Sequence, residues 1–60
     1  MTDREKLEKV YDFVKRREDY FYQPIEEGKY ELGSIANMQC VFQASSFQQV
    51  RYLIEELMEE

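Results

Sequence analysis

The chain of 60 residues contains no histidine, one cysteine, one proline and two glycines. Without histidine, the usual zinc-binding sets and the serine–histidine and cysteine–histidine pairs of nucleophilic enzymes are excluded. The single thiol, Cys40, cannot form an intramolecular disulfide, and an unpaired thiol is typical of a reducing cytoplasm. The sequence therefore predicts a cytoplasmic protein that is not an enzyme, with no catalytic residue, no metal and no cofactor.

Long apolar runs are also missing, since none exceeds three residues. A membrane span needs about 20 apolar residues, and the core of a signal peptide needs about 7–15. We therefore expect no membrane association and no secretion signal, and we expect the mature, soluble chain to begin at Met1.

What is present is enough material for one small core, because hydrophobic residues make up 43% of the chain and aromatic residues 15%. This composition predicts a single folded domain over residues 1–60. A core of this size supplies only about 3–5 kcal/mol of stability in the absence of a disulfide, a metal or a partner. We therefore expect self-association, with a homodimer as the simplest form.

The net charge of −5 is unevenly distributed. Residues 1–19 carry six basic and six acidic side chains, so the whole excess of negative charge lies in residues 20–60. The basic run at residues 15–17 is flanked by Asp12, Glu18 and Asp19, which offset it locally. Nucleic acids and anionic membranes are therefore disfavoured as partners, and a basic protein surface is favoured.

The first segment predicts a helix over about residues 3–22. Thr2 and Glu5 match a capping box, in which each side chain accepts a hydrogen bond from a free backbone N–H at the start of the helix. Pro24 disfavours helical geometry at Gln23, so residues 24–28 are predicted to form a linker. The apolar residues at helical spacing, with Glu18 interrupting them, are Leu7, Val10, Tyr11, Val14 and Phe21.

The last segment is also predicted to be helical, and Ser46 with Gln49 is a second possible capping box that would start a separate helix at Phe47. Its apolar stripe consists of Val50, Leu53, Ile54, Leu57 and Met58. Residues 29–44 allow two interpretations: a helix capped by Ser34, or two strands at residues 29–32 and 38–43. We favour the helix because the spacing 35, 38, 42, 46, 50, 53 and 57 keeps to one helical face.

These patterns predict an all-α fold, either a helical hairpin or three short helices. The alternative is an α-β-β-α order with a small β-hairpin at about residues 29–43.

Candidate chemical groups are few. Cys40 has no basic neighbour in the sequence, so it is expected to act as a small buried hydrophobic residue. Ser45 and Ser46 lack a base and are expected to cap or kink a helix. The carboxylate pairs Glu55 with Glu59 and Glu56 with Glu60 lie at i, i+4, which indicates a solvated face or a patch for basic residues of another protein.

The aromatic residues are more informative. Tyr20, Phe21 and Tyr22 are consecutive, so on a helix they point in three directions and cannot all enter one small core. Exposed Tyr and Phe anchor protein interfaces because they bury a large area at low entropic cost. Packing of this end of the helix by residues 24–32 is the alternative. The predicted partner-binding residues are Phe13, Tyr20, Phe21, Tyr22, Glu55 and Glu56.

Three charged segments resemble a known type of protein: DREKLEKVYDFV at residues 3–14, GKYELG at 28–33 and YLIEEL at 52–57. They are similar to small uncharacterised proteins encoded by tailed phages and prophages of Gram-positive bacteria. The resemblance implies a helical accessory protein that acts in the infected bacterial cytoplasm by binding a host or phage protein. It carries no functional motif, so no residue role transfers, and residues 38–47 depart from its charged pattern.

The sequence thus predicts a protein-binding accessory protein of phage type that occupies a surface of a bacterial host protein as an inhibitor or modulator. The alternative is a structural protein that associates only with itself as a helical bundle. A small nucleic-acid binder is the least favoured of the three.

Overall fold

A computed structural model describes residues 1–59 of the chain. It contains two helices of 25 residues each, α1 (Asp3–Glu27) and α2 (Ile35–Glu59), which pack against each other as a hairpin 43 Å long and 16 by 14 Å in cross-section. The prediction of an all-α fold, and of a helical hairpin in particular, is confirmed. The part of the chain that is described contains no strand, so the alternative with a β-hairpin at residues 29–43 is wrong.

Helix α1 begins at the predicted capping box. The Glu5 backbone N–H donates to Thr2 Oγ1 at 3.1 Å, and the Thr2 backbone N–H donates to Glu5 Oε1 at 3.4 Å. Two backbone donors that would otherwise lack partners are thereby satisfied at the start of the helix. Asp3 and Glu5 also place negative charge in the first turn, where the helix dipole favours it.

Helix α1 runs past Pro24 and ends at Glu27, five residues beyond the predicted end at Tyr22, so the predicted linker at residues 24–28 is mostly helical. Proline removes one backbone hydrogen bond, but here Pro24 and Ile25 are half-buried between the helices, and this packing offsets the loss. The C-cap at Gly28 further stabilises this end of α1. Gly28 adopts a φ of 64°, and the Lys29 N–H donates to the Pro24 carbonyl at 3.0 Å, as in a Schellman motif.

Replacing Pro24 with alanine should therefore stabilise the hairpin. Alanine restores a backbone donor to the last turns of α1 and has a far higher helix propensity, while it loses some packing and the unfolded-state restriction of proline. We expect a net gain of about 1 kcal/mol in the free energy of unfolding, measured by urea denaturation followed by circular dichroism. The matched control Gln23→Ala, on an exposed position one residue earlier, should change stability by less than about 0.5 kcal/mol. A destabilised Pro24→Ala variant would contradict this account of the turn.

The connection to α2 is short. The Ser34 N–H donates to the Glu31 carbonyl at 3.0 Å, which closes a turn with Gly33 at a φ of 83°. A positive φ at the third position of such a turn favours glycine. Ser34 then caps α2, as predicted, because its Oγ accepts from the Asn37 N–H at 3.2 Å.

Helix α2 continues without a break through Ser46, so the predicted separate helix starting at Phe47 is wrong. The Ser46 hydroxyl donates to the Phe42 carbonyl at 2.9 Å, one turn earlier in the same helix. This hydrogen bond satisfies the hydroxyl within helical geometry, and its oxygen is not needed as a cap.

The two helices meet along a line of residues that we call the seam. Its members are spaced alternately by three and four residues, the pattern of an antiparallel coiled coil. Among the described residues, the buried apolar side chains are Val14, Ala44 and Ile54. The seam consists of Leu7, Tyr11, Val14, Glu18, Phe21 and Ile25 of α1 and Asn37, Cys40, Ala44, Phe47, Arg51, Ile54 and Met58 of α2.

The seam residues of α2 differ from the apolar stripe that the spacing of the sequence predicts. Ile35 and Phe42, which are 77% and 66% exposed, lie on the outward face of α2. From the last predicted stripe, Ile54 and Met58 face α1, whereas Val50, Leu53 and Leu57 remain exposed. The seam instead includes Asn37, Ala44 and Arg51, which are polar or small, so several of the large apolar residues of α2 lie outside its packed face.

Candidate protein-binding site

The seam separates two long sides of the hairpin. In an antiparallel pair of helices, the residues that directly follow seam residues border one side of the pair. The residues that directly precede seam residues border the other side. Tyr22, Val41 and Gln48 border the first side, which we call the polar side. Val10 and Val50 border the second, which we call the apolar side.

The polar side carries a network of charged groups in the middle of the molecule. Arg51 donates from Nε to Glu18 Oε1 at 2.9 Å and from Nη1 to Glu55 Oε1 at 2.7 Å. The Tyr11 hydroxyl donates to the same Glu55 oxygen at 3.2 Å, so the network joins α1 to α2 twice. The side chains of Arg51 and Glu18 are only 19% and 13% exposed, and both are seam residues.

The network fixes the charge of its arginine. The side-chain hydrogen bond to Glu18, followed by that to Glu55, raises the pKa of the Arg51 guanidinium still further above its already high usual value, although burial acts in the opposite direction. Arg51 is therefore a permanent cation. A buried pair of this kind adds little net stability compared with apolar residues, but it specifies which residues face each other.

Beside the network, the polar side opens into a groove of about 490 Å³ between α1 and α2. We call it the acidic groove, because Glu18, Asp19 and Glu26 supply three carboxylates to its lining and no lysine or arginine lines it. Glu18 contributes one more feature, since its second oxygen, Oε2, is buried and has no hydrogen-bond partner among the residues that the structure describes. The remaining lining residues are Tyr22, Ile25, Val41, Ala44, Ser45 and Gln48.

The aromatic residues predicted to bind a partner are distributed around the hairpin. Tyr22 lines the acidic groove. Phe13 and Tyr20 lie on the apolar side, where the Arg17 guanidinium lies 5.4 Å from the centre of the Phe13 ring. Phe21 lies in the seam, stacked on Phe47 with ring centres 6.0 Å apart, so its contacts in this structure are within the hairpin.

The two predicted glutamates are also separated. Glu55 is half-buried in the charged network, whereas Glu56 is exposed on α2. Glu59 is exposed at the end of α2, and Glu60, the second member of one predicted carboxylate pair, lies outside the described residues. The structure thus brings none of the six predicted residues together except Phe13 with Tyr20 and Tyr20 with Phe21.

Three groove residues, Glu18, Asp19 and Glu26, were not predicted to bind a partner. The sequence contained one signal for them, since Glu18 interrupts an apolar stripe, and a charge at a seam position requires an opposite charge on the facing helix. Arg51 is the one basic residue in α2. Pairing these two residues would have located the groove.

The other candidate groups have structural roles. Cys40 is half-buried in the seam, and Ser46 is engaged with the Phe42 carbonyl. Within residues 1–59, no cluster of three or more potential metal ligands occurs. Over the same residues, neither helix combines the length and the apolar character needed to cross a membrane.

Comparison of the chain with models of known protein families, with curated proteins and with solved structures finds no match.

Proposed function

We propose that this protein is a non-enzymatic accessory protein that binds a basic segment of another protein in its acidic groove and thereby inhibits or modulates that protein. The resemblance to small phage and prophage proteins supports a bacterial host protein as the target and the host cytoplasm as the place of action. Nucleic acid is a poor candidate, because phosphates would be repelled by the net charge of −5.

The observation that carries this proposal is the chemistry of the acidic groove. A lysine or arginine head group in the groove would lie near the carboxylates of Asp19 and Glu26, and its aliphatic stem would pack against Tyr22. Glu18 also lines the groove, with its Oε1 paired to Arg51 and its Oε2 buried. Charge complementarity of this kind raises the association rate and selects partners by sign.

Self-association as a structural protein is the second candidate, and a different observation favours it. The apolar side exposes large aliphatic and aromatic residues on both helices, including Phe13 and Leu53. Contiguous exposed apolar surface of more than a few hundred Å² marks an interaction site in most soluble proteins. The two candidates use different sides of the hairpin, so one molecule could perform both.

The target-binding proposal predicts that charge reversal in the groove abolishes capture. In an affinity capture from bacterial lysate, quantified by mass spectrometry, the variant Asp19→Lys/Glu26→Lys should lose the specific partners of the wild-type protein by at least about tenfold. The same partners should be released from the wild-type protein as salt is raised, because exposed charge pairs are screened.

A control with the same change in net charge is the variant Glu31→Lys/Glu59→Lys, whose positions lie in the turn and at the end of α2. It should retain the partners. A third variant, Glu56→Lys, tests the contribution of the exposed glutamate of α2 separately from that of the groove. If every partner survives the groove variant, the groove is not the binding site; if the Glu31→Lys/Glu59→Lys variant loses them equally, only net charge matters.

A further inference from the structure

We infer that the apolar side of the hairpin is covered by a second copy of this chain, so that two hairpins form an antiparallel four-helix bundle. This deepens the self-association proposed above by naming its surface, and it is independent of target binding in the groove. The surface consists of Val10, Phe13 and Tyr20 of α1 and Val50, Leu53 and Leu57 of α2.

These residues form a continuous surface because of the way the helices pair. Val10 directly precedes the seam residue Tyr11, and Val50 and Leu57 directly precede the seam residues Arg51 and Met58. In an antiparallel pair, the equivalent positions of both helices border the same side. Phe13 and Leu53 lie on the same side of their respective helices, next to these residues and one row farther from the seam.

The loop end of the molecule confirms this assignment of sides. Tyr20, Pro24 and Cys40 line one shared depression, and Cys40 and Gln43 line a second depression next to it. The acidic groove on the opposite side is lined by Glu18, Ala44 and Gln48 instead. The two sides of the hairpin therefore differ: three carboxylates line the groove on the polar side, whereas on the apolar side Glu27 and Lys29 lie only at the loop end.

The chemistry of the apolar side fits a copy of itself. Among the positions that form this side between Val10 and Pro24, Arg17 is the charged one, and its guanidinium lies over the Phe13 ring. An apolar surface with so little charge is complementary to an identical surface, as an isologous two-fold interface requires. A basic target segment would instead be drawn to the polar side.

The size of the surface also fits. A side 43 Å long and 16 Å wide has a projected area of roughly 700 Å², and its accessible area is larger because side chains protrude. A stable interface of standard size buries about 800 Å² from each partner. An interface that covers this whole side, with its polar ends, would therefore approach the size of a stable dimer interface.

A single hairpin has an incomplete core. In residues 1–59 the buried apolar side chains are Val14, Ala44 and Ile54, and none of the described side chains is fully buried. Val10 and Leu53, by contrast, are 49% and 56% exposed. A second hairpin would bury these residues and extend the core, which is how helical hairpins become four-helix bundles.

Sedimentation-velocity ultracentrifugation of the full chain tests this inference. We expect the wild-type protein to sediment as a dimer at about 50 µM. The variant Leu53→Glu, which places two like charges in the interface, should raise the dissociation constant by about a hundredfold or more. Its control Met38→Glu, an equally charged substitution at an exposed position of α2 that lies off the apolar side, should remain dimeric.

Because Leu53→Glu could also weaken folding, a strengthening variant keeps the test decisive. Gln43 lies on the apolar side one heptad before Val50, and Gln43→Leu should lower the dissociation constant about tenfold. Its control Gln49→Leu, on the outward face, should leave the dissociation constant unchanged. Unfolding cannot produce tighter association.

The outcomes separate the inference from the broader proposal. If the wild-type protein is a dimer but neither Leu53→Glu nor Gln43→Leu alters it, self-association stands and the apolar side is the wrong surface. If the wild-type protein is a monomer at 50 µM or above, both self-association and this inference fail. Target binding through the acidic groove is unaffected by either result.

Discussion

Replacing Arg51 with methionine should nearly abolish the folded state. The substitution leaves Glu18, a seam residue, without the one hydrogen-bond donor that its side chain has within residues 1–59, where its second oxygen is already unpartnered. Removal of one partner from a buried ion pair costs about 3–5 kcal/mol, because the remaining charge is left uncompensated. We expect about 3 kcal/mol here, since both side chains keep slight solvent contact, and a domain of this size has about 3–5 kcal/mol in total.

Thermal and urea denaturation followed by circular dichroism at one protein concentration measures this effect. The control is Arg16→Met, which removes an equal charge from an exposed position where the guanidinium donates only to the Asp12 carbonyl of its own helix. That control should change the free energy of unfolding by less than about 0.5 kcal/mol. Equal effects of the two substitutions would show that the network contributes nothing beyond surface charge.

The double variant Glu18→Leu/Arg51→Met separates the two roles of the pair. Replacement of a buried pair by apolar residues of similar volume is often neutral or stabilising. We therefore expect the double variant to recover most of the stability that Arg51→Met loses. If it remains as unstable as the single variant, the loss comes from other contacts of the Arg51 side chain, for example its guanidinium 4.8 Å from the centre of the Tyr52 ring, rather than from an uncompensated charge.

The ends of the helices could be predicted where the chemistry is local. The Thr2 and Glu5 capping box and the Ser34 cap each depend on residues three positions apart, so the sequence alone specifies them. The end of α1 could not be predicted in the same way. Pro24 is a local signal against helix, and it is overridden by the burial of Pro24 and Ile25 against α2, a contact between residues far apart in the sequence.

The seam was harder to predict because α2 is apolar on more than one face. Ile35, Phe42 and Leu53 repeat at helical spacing as regularly as the seam residues do, yet all three are exposed in the hairpin. A hydrophobic pattern reports burial in the whole assembly, and does not distinguish packing within the chain from packing between chains. The choice depends on Glu18 and Arg51, whose pairing requires one particular face of α2 to meet α1.

The residues of the acidic groove could likewise be predicted only in part from the sequence. Tyr22 was predicted as a binding residue because three consecutive aromatic residues cannot share one core, an argument that needs only helical geometry. Asp19 and Glu26 were not predicted, because in the sequence they belong to a charged helix like any other. They become a site only beside Gln48 and Val41, and that juxtaposition depends on the register of two helices.

The orientation of α2 can be tested with a second large effect. Ile54 is 5% exposed in the seam, whereas Met38 is 47% exposed and lies outside the seam. Truncation of a buried isoleucine to alanine removes its packing and leaves a cavity, at a cost of about 2–5 kcal/mol. We expect Ile54→Ala to lose about 3 kcal/mol in urea denaturation, a large part of the stability available to this chain.

The matched control is Met38→Ala, which shortens an apolar side chain of similar size in the same helix and improves its helix propensity. It should change the free energy of unfolding by less than about 0.5 kcal/mol, because Met38 lies off both the seam and the apolar side. If Met38→Ala proves the more damaging substitution, α2 packs through the face that carries Met38, and the charged network between Glu18 and Arg51 cannot form. The two measurements together therefore test the register on which the acidic groove and the apolar side both depend.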